Sequence, residues 1–219
     1  MTSQTDKAAR FRALHQGPGA FVIANAWDAG SARILAGLGF QALATSSGAQ
    51  AGTLGRLDGR VTRDEALAHC RAIVEATERV AAAVQAARAL PFAFTLTARA
   101  EGFLRGHPDL DDAIRRLQAF EKAGADVLMA PGLPDLASVR AVCASLAKPF
   151  NFMVGIKGKS FAVAQLEAAG VRRISLATSL YRAAMTGLVD AAREAKDKGT
   201  FGYLDRSLAT PDLNSFMQG

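Results

Sequence analysis

Residues 21–47 read FVIANAWDAGSARILAGLGFQALATSS, and this stretch sets the pattern for the rest of the chain. It opens and closes with short apolar runs that are typical of buried parallel strands, at residues 21–26 and 41–46. Between these runs, Asp28 is suited to cap a helix, and Gly39 is suited to end it. The stretch therefore predicts a strand, a helix and a second parallel strand.

The same pattern recurs through the remaining sequence. Four further strand candidates are found at residues 92–98, 126–130, 149–154 and 172–177. Gly124 and Gly170 end the helices that precede two of these candidates. About six short strands that alternate with helices indicate an α/β fold with a parallel sheet.

One long interval departs from this rhythm. Residues 62–90 hold an uninterrupted helical pattern that begins with a capping box between Thr62 and Glu65. A helix of this length would extend roughly 40 Å, well beyond the average helix of a globular protein. We interpret the interval as two helices joined into one.

Length and composition favour a single domain over residues 1–219. Half of the 219 residues are hydrophobic, which is enough for a sizeable core. The net charge is +6, but the basic residues are scattered without a nucleic-acid motif, so a small anionic partner fits better than nucleic acid. The opening residues, MTSQTDKAARFRALHQ, do not have the pattern of a signal peptide, so the protein is expected to be cytoplasmic. Charged residues interrupt the most apolar long segment, residues 66–90, so no membrane partner is expected.

Several motifs occur in an order that resembles a known family. They are NAWDAGSA, TSSGAQAGTLGRLDG, FTLTARAEGFL, AFEKAGADVLMAPGLPD, PFNFMV and GVRRISLATSLYRAA. Together they resemble the phosphoenolpyruvate mutase / isocitrate lyase superfamily over nearly the whole chain. The resemblance implies a TIM-barrel-like (β/α) fold and Mg²⁺-dependent lyase or mutase chemistry beside an enolate of a small 2-oxo acid. It also implies a homo-oligomer, in which a C-terminal helical tail over about residues 179–219 packs on a neighbouring subunit.

The resemblance also implies site residues. Positions that bind the substrate in the superfamily match Ser46, Ser47, Gly48, Arg99 and Asn151. In relatives, the arginine clamps the substrate carboxylate and the asparagine hydrogen-bonds the substrate. Asp58 matches an aspartate near the reacting centre, so Asp58 and Arg99 are the catalytic candidates.

The residue types suit these roles on physical grounds, although each has a structural alternative. Ligands bind at the carboxyl ends of the strands in a parallel barrel, which is where Ser46, Ser47 and Arg99 fall. A guanidinium group presents a planar fork of donors to a carboxylate. The alternatives are a hydrogen-bonded turn for the serines, an Asx turn for Asp58, and an ion pair with Glu101 for Arg99.

The metal-binding segment of the superfamily has no counterpart in this sequence. Relatives carry a D-x-D-x-G segment after the third strand and a glutamate after the fourth, where this chain has the helical pattern of residues 62–90. We therefore predict an internal deletion of two βα units, a barrel reduced to about six strands and no complete Mg²⁺ site. Asp109 and Asp111 also spell D-x-D, but they precede a helix and are suited to stabilise its N-terminus.

Two functions follow from the sequence. The leading hypothesis is a lyase that cleaves a C–C or P–C bond in a small 2-oxo acid or related carboxylate through an enolate. The alternative is a catalytically inactive relative that binds a small carboxylate or a homologous subunit, because the metal-binding carboxylates are missing. A third alternative is a shortened chain that folds poorly, since barrel closure constrains strand number and stagger together.

Overall fold

A computed structural model of the protein describes residues 4–27, 29–53, 55, 57 and 83–216. Six strands run through these residues: β1 (Phe21–Ala26), β2 (Leu43–Thr45), β3 (Thr97–Arg99), β4 (Val127–Met129), β5 (Phe150–Met153) and β6 (Arg173–Ser175). Neighbouring strands are parallel. The α/β class, with a parallel sheet of about six strands and a reduced TIM-barrel-like fold, is therefore confirmed.

Helices precede, connect and follow the strands. They are α1 (Gln4–Gln16), α2 (Ala29–Gly37), α3 (Ser47–Thr53), α4 (Leu110–Lys122), α5 (Leu136–Ala144), α6 (Val163–Ala168), α7 (Ser179–Arg193) and α8 (Thr210–Ser215). Shorter helical turns occur at Gly102–Arg105, Glu194–Lys198 and Gly202–Arg206, and residues 83–88 are helical. None of the helices in the described ranges is long and apolar enough to cross a membrane.

The strand order in the sheet is β2-β1-β6-β5-β4-β3. In a parallel barrel each strand lies beside its sequence neighbours, and the last strand lies beside the first. This order follows that rule except between β2 and β3, which are the two ends of the described sheet. Residues 58–82, which hold most of the predicted long helix, lie outside the described residues. The internal deletion between β2 and β3 therefore stays a prediction.

Backbone contacts divide the chain into two compact units. Unit 1 comprises Met1–Val22 and Arg63–Ser175, and unit 2 comprises Ile23–Thr62 and Leu176–Gly219. The expectation of a single domain stays a prediction.

Unit 1 contains a large hydrophobic core between strands β3–β6 and their helices. Fully buried members include Leu117, Leu128, Phe150, Phe152, Leu166 and Ile174. Asp109 caps α4, because its Oδ1 accepts a hydrogen bond from the N–H of Asp112 at 2.9 Å. The prediction that Asp109 stabilises a helix N-terminus is thus confirmed.

The third strand is shorter than predicted, since β3 covers Thr97–Arg99 and not residues 92–98. The N–H of Leu96 donates to Asp126 Oδ2 at 2.9 Å, and the Leu96 carbonyl accepts from the N–H of Asp126 at 2.9 Å. Asp126 is itself held by Arg88 at 2.7 Å. A carboxylate therefore takes the Leu96 donor that a longer strand would give to its neighbour, and regular pairing starts only at Thr97.

Unit 2 contains a small core around Ala24, Ala26 and Leu35. Strands β1 and β2 pair in register from Ala24 with Leu43 to Ala26 with Thr45. The segment that begins with α7 exposes several large apolar side chains, namely Leu188, Val189, Phe201, Leu204, Leu208 and Leu213. Such exposure along helical segments is typical of a surface that packs against another chain.

Candidate functional site

In unit 1, four residues form a row across neighbouring strands. Arg99 of β3 is aligned with Met129 of β4, Met129 with Asn151 of β5, and Asn151 with Arg173 of β6. Aligned residues in a parallel sheet direct their side chains to the same face. Strand register therefore brings the two predicted residues Arg99 and Asn151 to one face, with one strand between them.

Arg99 is the last residue of β3, and its side chain is 45% exposed. Its Nη2 lies 2.6 Å from Oε1 of Glu101, whose other oxygen lies 3.7 Å from Nε of Arg105. The ion pair with Glu101 that the sequence left open is therefore present. Glu101 Oε1 makes no aligned hydrogen bond within the described ranges, so its contact with Arg99 is an ion pair.

Asn151 has no exposed surface and uses its carbonyl oxygen twice. Oδ1 accepts from Nε of Arg173 at 2.9 Å and from Oγ of Ser175 at 2.9 Å. Nδ2 has no hydrogen-bond partner among the residues that the structure describes. The Asn151 amide therefore has two partners at its carbonyl oxygen and none, among the described residues, at its nitrogen.

Arg173 is only 8% exposed and belongs to this polar cluster. Its Nη1 lies 3.4 Å from Nε2 of His15, whose Nδ1 is 2.9 Å from the carbonyl oxygen of Phe11. Burial lowers the pKa of Arg173 to about 10, so the side chain stays charged at neutral pH. No carboxylate forms an ion pair with Arg173 in the described part of the chain.

His15 closes the cluster from helix α1. Its ring lies edge-on to Phe11 at 4.8 Å and to Phe21 at 4.9 Å between centroids. Burial is the largest cause that lowers the pKa of His15, and the nearby Arg173 charge lowers it further, while the bond to the Phe11 carbonyl acts in the opposite direction. The geometry fits a neutral ring that donates from Nδ1 and accepts from Arg173 at Nε2.

Sequence reasoning missed Arg173, Ser175 and His15. The available signal was the spacing of Arg173 and Ser175 in the strand run RRISLA, because residues two apart share one face of a strand. Arg172, which is exposed, precedes Arg173 in the same run. Sequence alone does not say which of these two arginines is buried.

In unit 2, Ser46 follows β2 and is buried. Its Oγ accepts from the N–H of Ala49 at 3.3 Å, so Ser46 caps helix α3. The hydrogen-bonded turn that the sequence left as an alternative is therefore present, although the hydroxyl can still donate. Gly48 lies in the first turn of α3, where backbone N–H groups lack partners within the helix. The backbone of Ser47 begins α3, whereas the side chain of Ser47 and the whole of Asp58 lie outside the described residues.

Packing explains Trp27, which follows β1 in unit 2. Its ring lies edge-on to Tyr181 at 5.3 Å between centroids, and the backbone N–H of Trp27 donates to Ser31 Oγ at 3.1 Å. A side chain at Gly52 would collide with the Tyr181 hydroxyl, so Tyr181 packs directly on α3. Ala177 lies two residues after the end of β6 and has a positive φ of 49°, a strained conformation of the kind that clusters at functional sites.

The described residues contain no group of three or more His, Cys, Asp or Glu side chains placed to bind a metal ion. The polar groups on the β3–β6 face are instead two guanidinium groups, an amide and a hydroxyl, from Arg99, Arg173, Asn151 and Ser175. Such groups donate hydrogen bonds and suit an anionic ligand.

The chain is similar to proteins of one family along most of its length. A family model described as phosphoenolpyruvate phosphomutase matches residues 11–79 and 75–196. No curated protein sequence matches the chain. The two pieces of the family match together span most of the chain and meet at residues 75–79.

Solved structures show the same similarity. A protein from Burkholderia cenocepacia J2315, provisionally described as a lyase/mutase, is 37% identical with a TM-score of 0.92, and the alignment covers 99% of this chain and 98% of that one. A protein from the same organism, provisionally described as a phosphonomutase, is 27% identical with a TM-score of 0.74 over 88% and 100% of the two chains. Oxaloacetate acetylhydrolase in complex with oxalate is 20% identical with a TM-score of 0.81 over 96% and 93%, which shows a shared fold.

Proposed function

The chain belongs to the phosphoenolpyruvate phosphomutase family, and from this membership we propose that it cleaves a C–C or P–C bond in a small 2-oxo acid or related carboxylate through an enolate. The observation that carries the proposal is the pair of donors on one face of the unit 1 sheet, Arg99 and Asn151. Ligands of parallel barrels bind at the carboxyl ends of the strands, and Arg99 ends β3.

The proposed roles follow from the donor chemistry of each side chain. Arg99 clamps the substrate carboxylate, and Asn151 donates from Nδ2 to a substrate oxygen. Ser46, Ser47 and Gly48 supply hydroxyl and backbone donors to the oxyanion that develops as the enolate forms. Asp58 is the proposed residue for proton transfer at the reacting centre.

The superfamily implies Mg²⁺, but the described residues do not form a suitable Mg²⁺ site. Mg²⁺ requires hard oxygen ligands in near-octahedral order, whereas the cluster on the β3–β6 face carries the buried positive charge of Arg173. No suitable group of acidic side chains lies in the ranges that the structure describes. The roles proposed above therefore belong to the chain's own side chains.

Turnover is the direct test. Folded protein should convert at least one of oxaloacetate, 2-methylisocitrate or a phosphonopyruvate-type substrate, assayed with and without added Mg²⁺. Arg99→Ala should lower kcat/KM by about 100-fold or more, because the substrate carboxylate loses its clamp. Arg105→Ala is the matched control, since Arg105 also contacts Glu101 but is a more exposed arginine, and it should keep near-normal activity. Absence of turnover across the panel would defeat the catalytic proposal.

The second candidate function is a catalytically inactive relative that binds a small carboxylate. The lack of a fitting metal site among the described residues favours it. Calorimetry separates the two candidates. Oxalate or pyruvate binding that does not change with Mg²⁺, together with no turnover of the substrate panel, supports the inactive relative.

Two further proposals concern the architecture. The family match in two pieces that meet at residues 75–79 supports an internal deletion at this point of the long predicted helix. Exposed apolar side chains from Leu188 to Leu213 support a homo-oligomer in which the C-terminal tail contacts another subunit. We also propose that the protein is cytoplasmic and has no nucleic-acid or membrane partner.

A further inference from the structure

We propose that Arg173 and Ser175 are positioning residues that fix the side-chain amide of Asn151, so that Nδ2 donates a hydrogen bond to an oxygen of the bound carboxylate. The inference rests on the proposed function, because it concerns the same site. It adds which residues orient Asn151 so that the amide is the donor and the ligand is the acceptor. It commits the Asn151 subsite to an oxygen acceptor of a small anionic carboxylate.

The contacts of the Asn151 amide fix its orientation. An Asn side chain can turn by half a rotation and exchange its oxygen with its nitrogen. The Arg173 Nε–H is a donor that cannot accept, and it faces Asn151 at 2.9 Å. In the turned orientation, Nδ2 of Asn151 would face the Nε–H of Arg173, so that two donors would oppose each other. In the observed orientation, Oδ1 accepts from Arg173 and also from the Ser175 hydroxyl at 2.9 Å. Arg173 therefore decides the orientation and Ser175 reinforces it.

The Asn151 amide nitrogen is left without a hydrogen-bond acceptor among the described residues. Asn151 is fully buried, and its Nδ2 lacks a partner among the described residues. A buried donor without an acceptor costs about 1–3 kcal/mol, so such a group in a folded protein calls for an explanation. An oxygen acceptor from a ligand would supply the missing bond.

Arg173 also places a positive charge beside Asn151. Arg173 is a buried cation, and its partners in the described structure are the neutral groups of Asn151 and His15. A buried positive charge that has no ion-pair partner among the described residues favours an anion nearby and disfavours a cation. The open donor and the charge therefore both favour an anionic oxygen acceptor, which the carboxylate of the proposed substrate supplies.

The main test is the isosteric change Asn151→Asp, with oxalate as the probe and calorimetry on the full chain without metal. The Asp oxygens can accept from both Arg173 and Ser175, so the fold should be as stable as the wild type or more stable. Oxalate affinity should fall by about 100-fold or more, because a carboxylate oxygen replaces the Nδ2 donor. If Asn151 had a purely structural role, stability would rise while oxalate affinity stayed the same, and that result would overturn the inference.

Serine variants test the positioning role separately. Ser175→Ala should weaken oxalate binding by about tenfold, since Asn151 Oδ1 keeps only one of its two donors. Ser175→Thr restores the hydroxyl and should recover most of the affinity. Ser145→Ala is the matched control, because the Ser145 hydroxyl bonds to the Ala141 carbonyl within its own helical turn. Equal affinity of Ser175→Ala and wild type would contradict the positioning role.

The outcomes also separate this inference from the proposed function. Wild-type protein that binds oxalate with the expected variant pattern, but turns over no substrate, supports the inference and defeats the lyase proposal. Turnover of a substrate by wild-type protein that does not bind oxalate overturns the inference and leaves the lyase proposal standing.

Discussion

Arg99 and Arg173 lie in the same row of the unit 1 sheet, yet their surroundings are opposite. Arg99 is half-exposed and forms an ion pair with Glu101, two residues along the chain. Arg173 is buried, and among the described residues its side chain contacts the Asn151 carbonyl oxygen and the His15 ring. The exposed arginine has a charged partner that is close in sequence, whereas the buried one has neutral partners that are distant in sequence.

This difference indicates which arginine is needed for folding and which is available to bind a ligand. An exposed ion pair contributes little to stability, because water and salt screen it. A buried cation pays a large desolvation cost and must keep its hydrogen bonds. We therefore expect substitution of Arg173 to affect folding strongly, and substitution of Arg99 to affect mainly the binding of an anionic ligand.

The largest effect is expected for Arg173→Ala. The truncation removes a buried stem, takes one donor from Asn151 Oδ1 and leaves a cavity, so the free energy of unfolding should fall by about 3 kcal/mol. Chemical denaturation measures this change. Arg172→Ala provides the matched control, since Arg172 is the exposed neighbour, and its effect should stay within about 0.5 kcal/mol. Equal losses for the two variants would remove the contrast between exposed and buried arginines.

A smaller effect is expected from the titration of His15. Its pKa is lowered from the ordinary value of 6.5, first by burial and then by Arg173, while the Phe11 carbonyl and the charge of Asp126 raise it. Below pH 6.5 the unfolded chain therefore binds more protons at this residue than the folded chain does. Its stabilising contribution is fully present above that pH and is lost as the pH falls below it.

Melting temperatures measured between about pH 7.5 and pH 5.5 test this expectation, because the window spans the ordinary histidine pKa. His15→Gln offers Arg173 an acceptor oxygen and does not titrate, so its melting temperature should depend less on pH than that of the wild type. His107→Gln is the control, because His107 is exposed. If His15→Gln and the wild type show the same pH dependence, the ring is not held neutral by its burial against Arg173.

Features that depend on neighbouring residues could be predicted from the sequence, whereas features that depend on distant residues could not. Helix ends at Gly124 and Gly170 were predictable, because both adopt positive φ values, 101° and 96°, that favour glycine. The pairing of Arg99 with Glu101 was foreseeable as an alternative, since residues two apart on an extended segment share a face. The start of β3 was not, because it depends on Asp126, whose carboxylate binds Leu96 from 30 residues away. The role of Arg173 depends on Asn151, 22 residues earlier, and on His15, 158 residues earlier.

The smallest effect is expected for the Arg99–Glu101 ion pair itself. A double-mutant cycle with Arg99→Ala and Glu101→Gln should give a coupling energy below about 1 kcal/mol, because the arginine side chain is 45% exposed and the glutamate side chain is 35% exposed. Added salt should reduce the coupling further. A coupling of several kcal/mol that persists in high salt would mean that Glu101 holds Arg99 as a structural residue. The guanidinium would then be less available to a substrate carboxylate, and the proposed clamp would lose its main support.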